Sequence, residues 1–461
     1  MINFSIALLL SSAYLPAAEN ALPSPAVVDS LTRASFSFER HTPDSAYKYV
    51  RGLERQAKPG FKSVNNAIMF LPGLVIDGVR SATAFGMHLV NDPEIRARIN
   101  SFVESENKSF RWYPVADITS DYRPRIGADF FIPLHLVDMA FNWNFAGREK
   151  YKLAGNISYH YKNQPYTWRC TLSGLFEHDD DRKFYGIGVT PRNDRRNAIL
   201  PSAAADYGIY KEKRRKIQLV SSIGFHSHLS LSYSALLQKR TLRNAPTSEN
   251  AIGNLFNLDK MKEFKHPVQP FYHELSIRLD SRRQERYLSS GIKFEIYYGR
   301  SKGIGQDSST FSRCGFDFMM NIPILDPDRL LTPRLVYNRI KNNSLQTAIP
   351  FTEYPQQPVF RGVSGLYMLR TDNHSFVPSL EYHWPLTYYL GAHLFIDYLL
   401  VSDQLSHLSW TRVPWAIGLG ADIHAKNKEL ARGYIAAGSE GFHLTFTIGL
   451  DSVVNSRSAW E

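Results

Sequence analysis

Along much of this chain apolar residues recur at every second position. Ile217, Leu219, Ile223 and Phe225 share one face while Gln218, Ser222 and Gly224 share the other, and Leu229, Leu231, Tyr233, Ala235 and Leu237 alternate with Ser230, Ser232 and Ser234. Leu275, Ile277 and Leu279 oppose Glu274, Arg278 and Asp280; Ile292, Phe294 and Ile296 oppose Lys293 and Glu295. Near the C-terminus Phe442, Leu444, Phe446, Ile448 and Leu450 oppose His443, Thr445, Thr447 and Gly449. Successive side chains of a strand point to opposite faces, so this period predicts strands with one apolar and one polar face. A parity that gathers Lys, Glu, Arg and Asp could not line a dry core. It suits a polar barrel lumen, with the apolar parity turned to lipid. The segments are about ten residues long, as tilted membrane strands are, and Tyr297, Tyr298, Trp384, Tyr388, Tyr389, Trp410 and Trp415 gather at their ends.

Sixteen strands are predicted, beginning near Ile126, Asp138, Tyr151, Tyr166, Ala203, Lys216, Leu229, Phe271, Ser289, Arg313, Leu331, Ser375, Leu390, Val413, Ala431 and Phe442. An even count suits closure. The expected fold is all-β, a 16-stranded antiparallel transmembrane β-barrel over 111–454 with a short N-terminal helical extension. In that extension Ala67, Ile68, Leu71, Leu74, Val75, Val79, Ala82 and Phe85 recur at helical spacing around Pro72, and Asp92-Pro93-Glu94 opens a second helix. Residues 19–110 are read as a periplasmic or interfacial segment, 1–18 as a signal peptide with an apolar Phe4–Leu10, and 455–461 as a tail. With the N-terminus periplasmic, Lys239–Pro270 and Lys341–His374 become outer loops four and six. Asp179–Ser202 would then be a long periplasmic turn, at odds with the short turns usual on that side.

Composition narrows the picture. Hydrophobic residues are 43% of the chain, and no run of about 20 apolar residues occurs beyond the extreme N-terminus, which excludes helical spans but not a barrel. Cys170 and Cys314 each fall on an apolar parity and are expected to be free, lipid-facing or packed thiols. The net charge of +11 includes KEKRRK at Lys211–Lys216 and a cluster at Arg240–Arg243. Basic turns of this kind attract anionic head groups, so outer-membrane lipids and lipopolysaccharide are expected partners. No helix-turn-helix, zinc-ligand spacing or stacking platform points to nucleic acid.

The most specific segment is Ile349–Leu399, which reads IPFTEYPQQPVFRGV, then SLEYHWPL, then GAHLFIDYL. Its loop carries Arg361 between Phe360 and Gly362, and the following strands place Glu381 and Asp397 on their polar parity. Alone, an Arg-Gly dipeptide reads as a solvated loop. A guanidinium entering a shielded lumen, however, needs carboxylates there.

This signature, with FYGIG at Phe184–Gly188 and AIGLGADI at Ala416–Ile423 ahead of EGFHLTFTIGL at Glu440–Leu450, resembles the barrel of the BamA/TamA family of outer-membrane assembly factors, the bacterial surface antigen family. The likeness covers about Trp112–Ser452. It implies that Phe360, Arg361 and Gly362 form a lumen motif on loop six and that Glu381 and Asp397 receive the arginine. It also implies insertion or translocation of client outer-membrane or secreted polypeptides through a lateral seam between the first and last strands. Ile126 and Phe130 would mark one side of that seam, and Phe442, Leu444, Phe446 and Ile448 the other. Three departures stand out: no POTRA-like pattern before Arg111, Gln356-Gln357-Pro358 in place of a Gly-Gly, and a last strand fading into Asp451–Val454. The alternatives are a passive or gated pore, or a structural barrel subunit of a larger complex. His226-Ser227-His228 lies at a turn with no third catalytic member, so no enzyme activity, cofactor or metal is expected.

Overall fold

The computed structural model describes residues 110–448, apart from short stretches within the connections, and these lie in the compact unit spanning Lys58–Glu461. The expected signal peptide, helical extension and C-terminal tail fall outside the described residues. The strands are β1 (Arg111–Thr119), β2 (Arg125–Pro133), β3 (Val137–Phe145), β4 (Tyr151–Asn163), β5 (Tyr166–Phe184), β6 (Gly208–Phe225), β7 (Leu229–Asn244), β8 (Pro270–Asp280) and β9 (Gly291–Gly303). They continue as β10 (Thr310–Ile324), β11 (Asp326–Asn342), β12 (His374–Pro385), β13 (Leu390–Tyr398), β14 (Leu400–Ser402), β15 (Trp415–Ala425), β16 (Lys428–Gly438) and β17 (Gly441–Ile448). Apart from β13 and β14, each pairs antiparallel with its sequence neighbours, and β17 returns to β1. β13 and β14 both lie along β12 and are two pieces of one stave, parted at Leu399, whose N–H bonds the Pro414 carbonyl at 2.9 Å instead. The result is a closed barrel of sixteen staves.

The apolar parity faces outward. Ile217, Leu237, Leu275, Ile296 and Leu444 are exposed, whereas Glu212, Glu295, Asp317 and Asp397 on the other parity are at most 1% exposed. A soluble barrel would reverse these two faces, so the wall is built for lipid. Cys170 and Cys314 sit on the outward parity, half-buried and unbridged, as expected.

The expected count of sixteen rests on two offsetting errors. β1 escapes the pattern, because Pro114 in RWYPVADIT breaks it; the proline lies opposite Ala128 of β2. Conversely, the strands predicted near Ala203 and Lys216 are one, β6. Its upper half alternates charge with charge: Glu212, Arg214 and Lys216 point inward, Lys213 and Arg215 outward. KEKRRK is therefore not a turn. The correction also removes the long periplasmic turn, because β5 runs to Phe184 and continues into loop three, on the same end as loops four and six. It moves Ile126 and Phe130 to the second strand, one stave in from the closure. Tyr297 and Trp384, expected in an interfacial girdle, are buried; Tyr298, Trp410 and Trp415 are exposed as expected, and Tyr388 and Tyr389 lie outside the described residues.

At the loop-bearing end the lumen is filled. Phe184, Tyr210, Leu236, Ile252, Phe311 and Phe351 belong to one buried cluster drawn from strand ends and from loops four and six. Each such side chain, fully buried, is worth about 1.5–3 kcal/mol.

Candidate functional site

Loop six enters the barrel and is held there at two points. The first is Arg361, which donates from Nε to Asp397 Oδ2 and from Nη2 to Asp397 Oδ1, both at 2.8 Å, while its backbone N–H reaches Oδ2 at 3.0 Å. Nη1 donates to Glu381 and Nη2 also to Ser379 Oγ at 3.1 Å. The guanidinium lies over the Phe395 ring, 3.6 Å from its centroid. All five groups are buried. A planar fork gripped by a carboxylate along one edge and by a second acid at a tip is the arrangement that arginine, and not lysine, can complete.

Strand register explains the convergence. On the lumen face Ser379 lies opposite Asp397, and Glu381 opposite Phe395. Across the next ladder Asp397 faces Ala416, and Phe395 faces Gly418. The small residues of AIGLGADI are thus a shelf beneath the arginine. A Cβ on Gly418 would come within 2.3 Å of the Phe395 ring and 2.6 Å of the Ile435 carbonyl. Gly418→Ala is expected to lower stability by about 1–3 kcal/mol through overpacking, whereas Gly174→Ala, where nothing lies within 4 Å, should be near neutral. Thermal unfolding of the two variants checks this, and equal midpoints would show that the shelf is not tight. Beside Arg361, Phe360 packs with Val336, Val377, Leu399, Val401 and Ala416. Gly362 is needed because a Cβ there would meet the Phe360 ring at 2.5 Å.

The second point is Glu353, fully buried in the short turn Phe351–Glu353. Its carboxylate lies 3.1 Å from Arg313 Nη2 and 3.3 Å from Arg240 Nε, and Gln238 donates to it at 3.4 Å. Loop three joins from the side. Gly186 and Gly188 of FYGIG have φ of 91° and 94°, a left-handed conformation that favours glycine. Arg196 grips Asp372 of loop six at 2.7 and 2.9 Å and also Asp194. Partial burial would raise the Asp194 carboxyl, but the hydrogen bonds from Arg196 hold it below the ordinary aspartate range.

The structure thus brings together Phe360, Arg361, Gly362, Glu381 and Asp397 as the sequence pattern requires. Ser379 and Phe395 join them, and Glu353 forms the separate second anchor, without having been marked by that pattern. At the closure Phe442, Leu444 and Phe446 of β17 face outward, and Ile448 pairs with Ala116 of β1.

No family model matches this chain, and no curated protein matches it in sequence. Among solved structures it is similar to BamA from Haemophilus ducreyi lacking POTRA domains 1–3, with a TM-score of 0.51 and 11% identity over 74% of this chain and 70% of that one. The fold is that of a BamA-type barrel. CdiB from Acinetobacter baumannii also matches, with a TM-score of 0.47, 12% identity, and 74% and 60% of the two chains covered. At 11% identity the BamA-type likeness concerns architecture: a barrel wall closed by its first and last strands.

Proposed function

We propose that this chain is a bacterial outer-membrane barrel whose first and last strands part to help other polypeptides, outer-membrane or secreted, into or across the bilayer. The observation that carries this reading is the closure. β1 and β17, the first and last described strands, meet in the register Ala116↔Ile448 to Thr119↔Thr445, and no hairpin connection links them, whereas β5 and β6 are joined by one. At roughly 0.5–1.5 kcal/mol per hydrogen bond, this junction can part for the loss of its ladder alone, with no connecting turn to strain. An opened edge offers the unpaired N–H and C=O groups on which a client strand can template. The wall is also low there. β1, β2 and β3 have nine residues each against nineteen in β5, about 30 Å of strand against about 60 Å. A thin wall favours a thinned bilayer beside the seam, which lowers the barrier to insertion. The filled outer mouth disfavours the alternative of a passive pore, since solute would have to pass the Phe184–Phe351 cluster.

The surrounding lipid is the second expected partner. Lys213, Arg215, Lys239, Arg243, Arg300 and Lys302 are exposed on the outward face at the loop-bearing end. Such a row suits the phosphates of outer-leaflet lipopolysaccharide, at about 1 kcal/mol per cation.

The seam is tested by a disulfide between Ala116→Cys and Ile448→Cys, in a chain whose Cys170 and Cys314 have been replaced by serine. Cα partners across an antiparallel ladder lie about 4.5–5.5 Å apart, within bridging range. Oxidation is expected to stop insertion of a reporter barrel into vesicles and reduction to restore it. Insertion that continues unimpeded in the bridged form would exclude the seam mechanism and favour the pore.

A further inference from the structure

We propose that the lumen holds a zinc-type divalent cation on His383, His393 and Asp422. The three residues come from neighbouring strands β12, β13 and β15, point inward, and are at most 1% exposed. His383 lies directly opposite His393, and Asp422 is one step further along, opposite Gly391. Both imidazole Nδ1 atoms face the same carboxylate oxygen, Asp422 Oδ1, at 3.6 Å for His383 and 3.4 Å for His393. These distances are long for hydrogen bonds. They match the edges of a tetrahedron, about 3.4 Å, around an ion with ligand bonds of about 2.0–2.1 Å. The potential ligand atoms of the three residues all lie within 4.8 Å of one another.

Two further observations point to a ligand. His383 Nδ1, His393 Nε2 and Asp422 Oδ2 are buried without a hydrogen-bond partner. An unpaired polar atom in such a place is costly, and a cation bound by His383 Nδ1 would satisfy that atom. The space is also kept open by glycine: a Cβ on Gly420 would lie 2.3 Å from His393 Nε2, and one on Gly391 would lie 2.7 Å from Asp422 Oδ2. Charge agrees. The connected set contains the carboxylates Glu381, Asp397, Asp422 and Glu429 against the guanidiniums Arg361 and Arg432, leaving two negative charges in excess with neutral histidines. Two imidazoles and one carboxylate, with a fourth position left to water, form a donor set suited to zinc. No metal motif is visible along the chain because the ligands sit one per strand, 10 and 29 residues apart.

The site borders the loop-six lock. Glu381 Oε1 lies 2.7 Å from His383 Nε2, and Oε2 of the same carboxylate takes Arg361. Glu381 is therefore a positioning residue for the ligand imidazole while holding the loop.

The test uses the full chain, purified in detergent, stripped with a chelator, and titrated with zinc chloride. Calorimetry is expected to show one ion per chain at micromolar affinity or tighter. H393A and D422N should each abolish that binding, and E381Q should weaken it by about 10–100-fold. X-ray absorption of the loaded wild-type chain should give a nitrogen and oxygen shell at about 2.0–2.1 Å with imidazole scattering. Absence of binding, unchanged binding by an H383A/H393A variant, or a sulfur or all-oxygen shell would each overturn the site. The absorption measurement decides the question even where a variant fails to fold.

Discussion

Replacing Arg361 with alanine is expected to destabilise the barrel by about 3–5 kcal/mol, the loss incurred when one partner of a buried ion pair is removed. Asp397 would keep the Ser379 hydroxyl at 2.5 Å but lose both guanidinium bonds and the Arg361 backbone contact to any movement of the loop. Glu381 would keep His383 and a distant Arg432, 4.0 Å away. Two carboxylates left under-compensated in a shielded lumen should raise the cost of keeping loop six inside. The readout is the temperature at which the compact form on an unheated gel converts to the extended one, together with protease cleavage between 354 and 372. Arg361→Lys should recover only part of the loss, since an ammonium cannot bridge both acids or stack on Phe395. In a double-mutant cycle with Asp397→Asn, a coupling of about 0.5–3 kcal/mol is expected. Strict additivity of the two single changes would mean that the observed contact does not hold the loop.

Parity is what makes part of the site legible in the sequence. Glu381 and Asp397 stand out because each puts a charge on the polar parity of an alternating strand, and a charge on that shielded face needs a partner. Phe395 departs from that alternation, an aromatic on the polar parity. It makes sense only once Arg361 is seen to lie on its face and Gly418 beneath it. The upper half of β6 reads as a separate strand for a related reason. Alternation of apolar with polar marks only the part of a strand that crosses lipid, and β5, β6 and β7 run well past it, where both faces are charged. Glu353 has no periodic signal at all. It lies in a single helical turn of an irregular loop, and its partners come from β7 and β10, brought beside it only by closure of the barrel. The same holds for His383, His393 and Asp422, whose proximity is a property of register across three strands.

The two anchors of loop six make a further expectation possible. Glu353→Ala should cost about 3–5 kcal/mol, because it leaves Arg313 without its carboxylate. That residue would retain the 353 backbone carbonyl and the faces of Tyr272 and Phe311, with ring centroids at 5.3 and 5.0 Å. Arg240 suffers less, since Glu212 remains 3.2 Å away. Glu353→Gln should therefore be milder than alanine, as its amide oxygen can still accept from Arg313 while the charge is lost. The partners of Glu353 (Gln238, Arg240 and Arg313) and those of Arg361 (Ser379, Glu381 and Asp397) share no residue, and Phe351 and Phe360 pack in separate apolar clusters. Independent anchors should give additive losses, within about 0.5 kcal/mol, in the Glu353→Ala, Arg361→Ala double variant. A double variant no worse than either single change would show that the loop docks as one unit. In that case, release at either end would free the whole segment from the lumen, and the Arg361 contact could not be weakened without also opening the outer mouth.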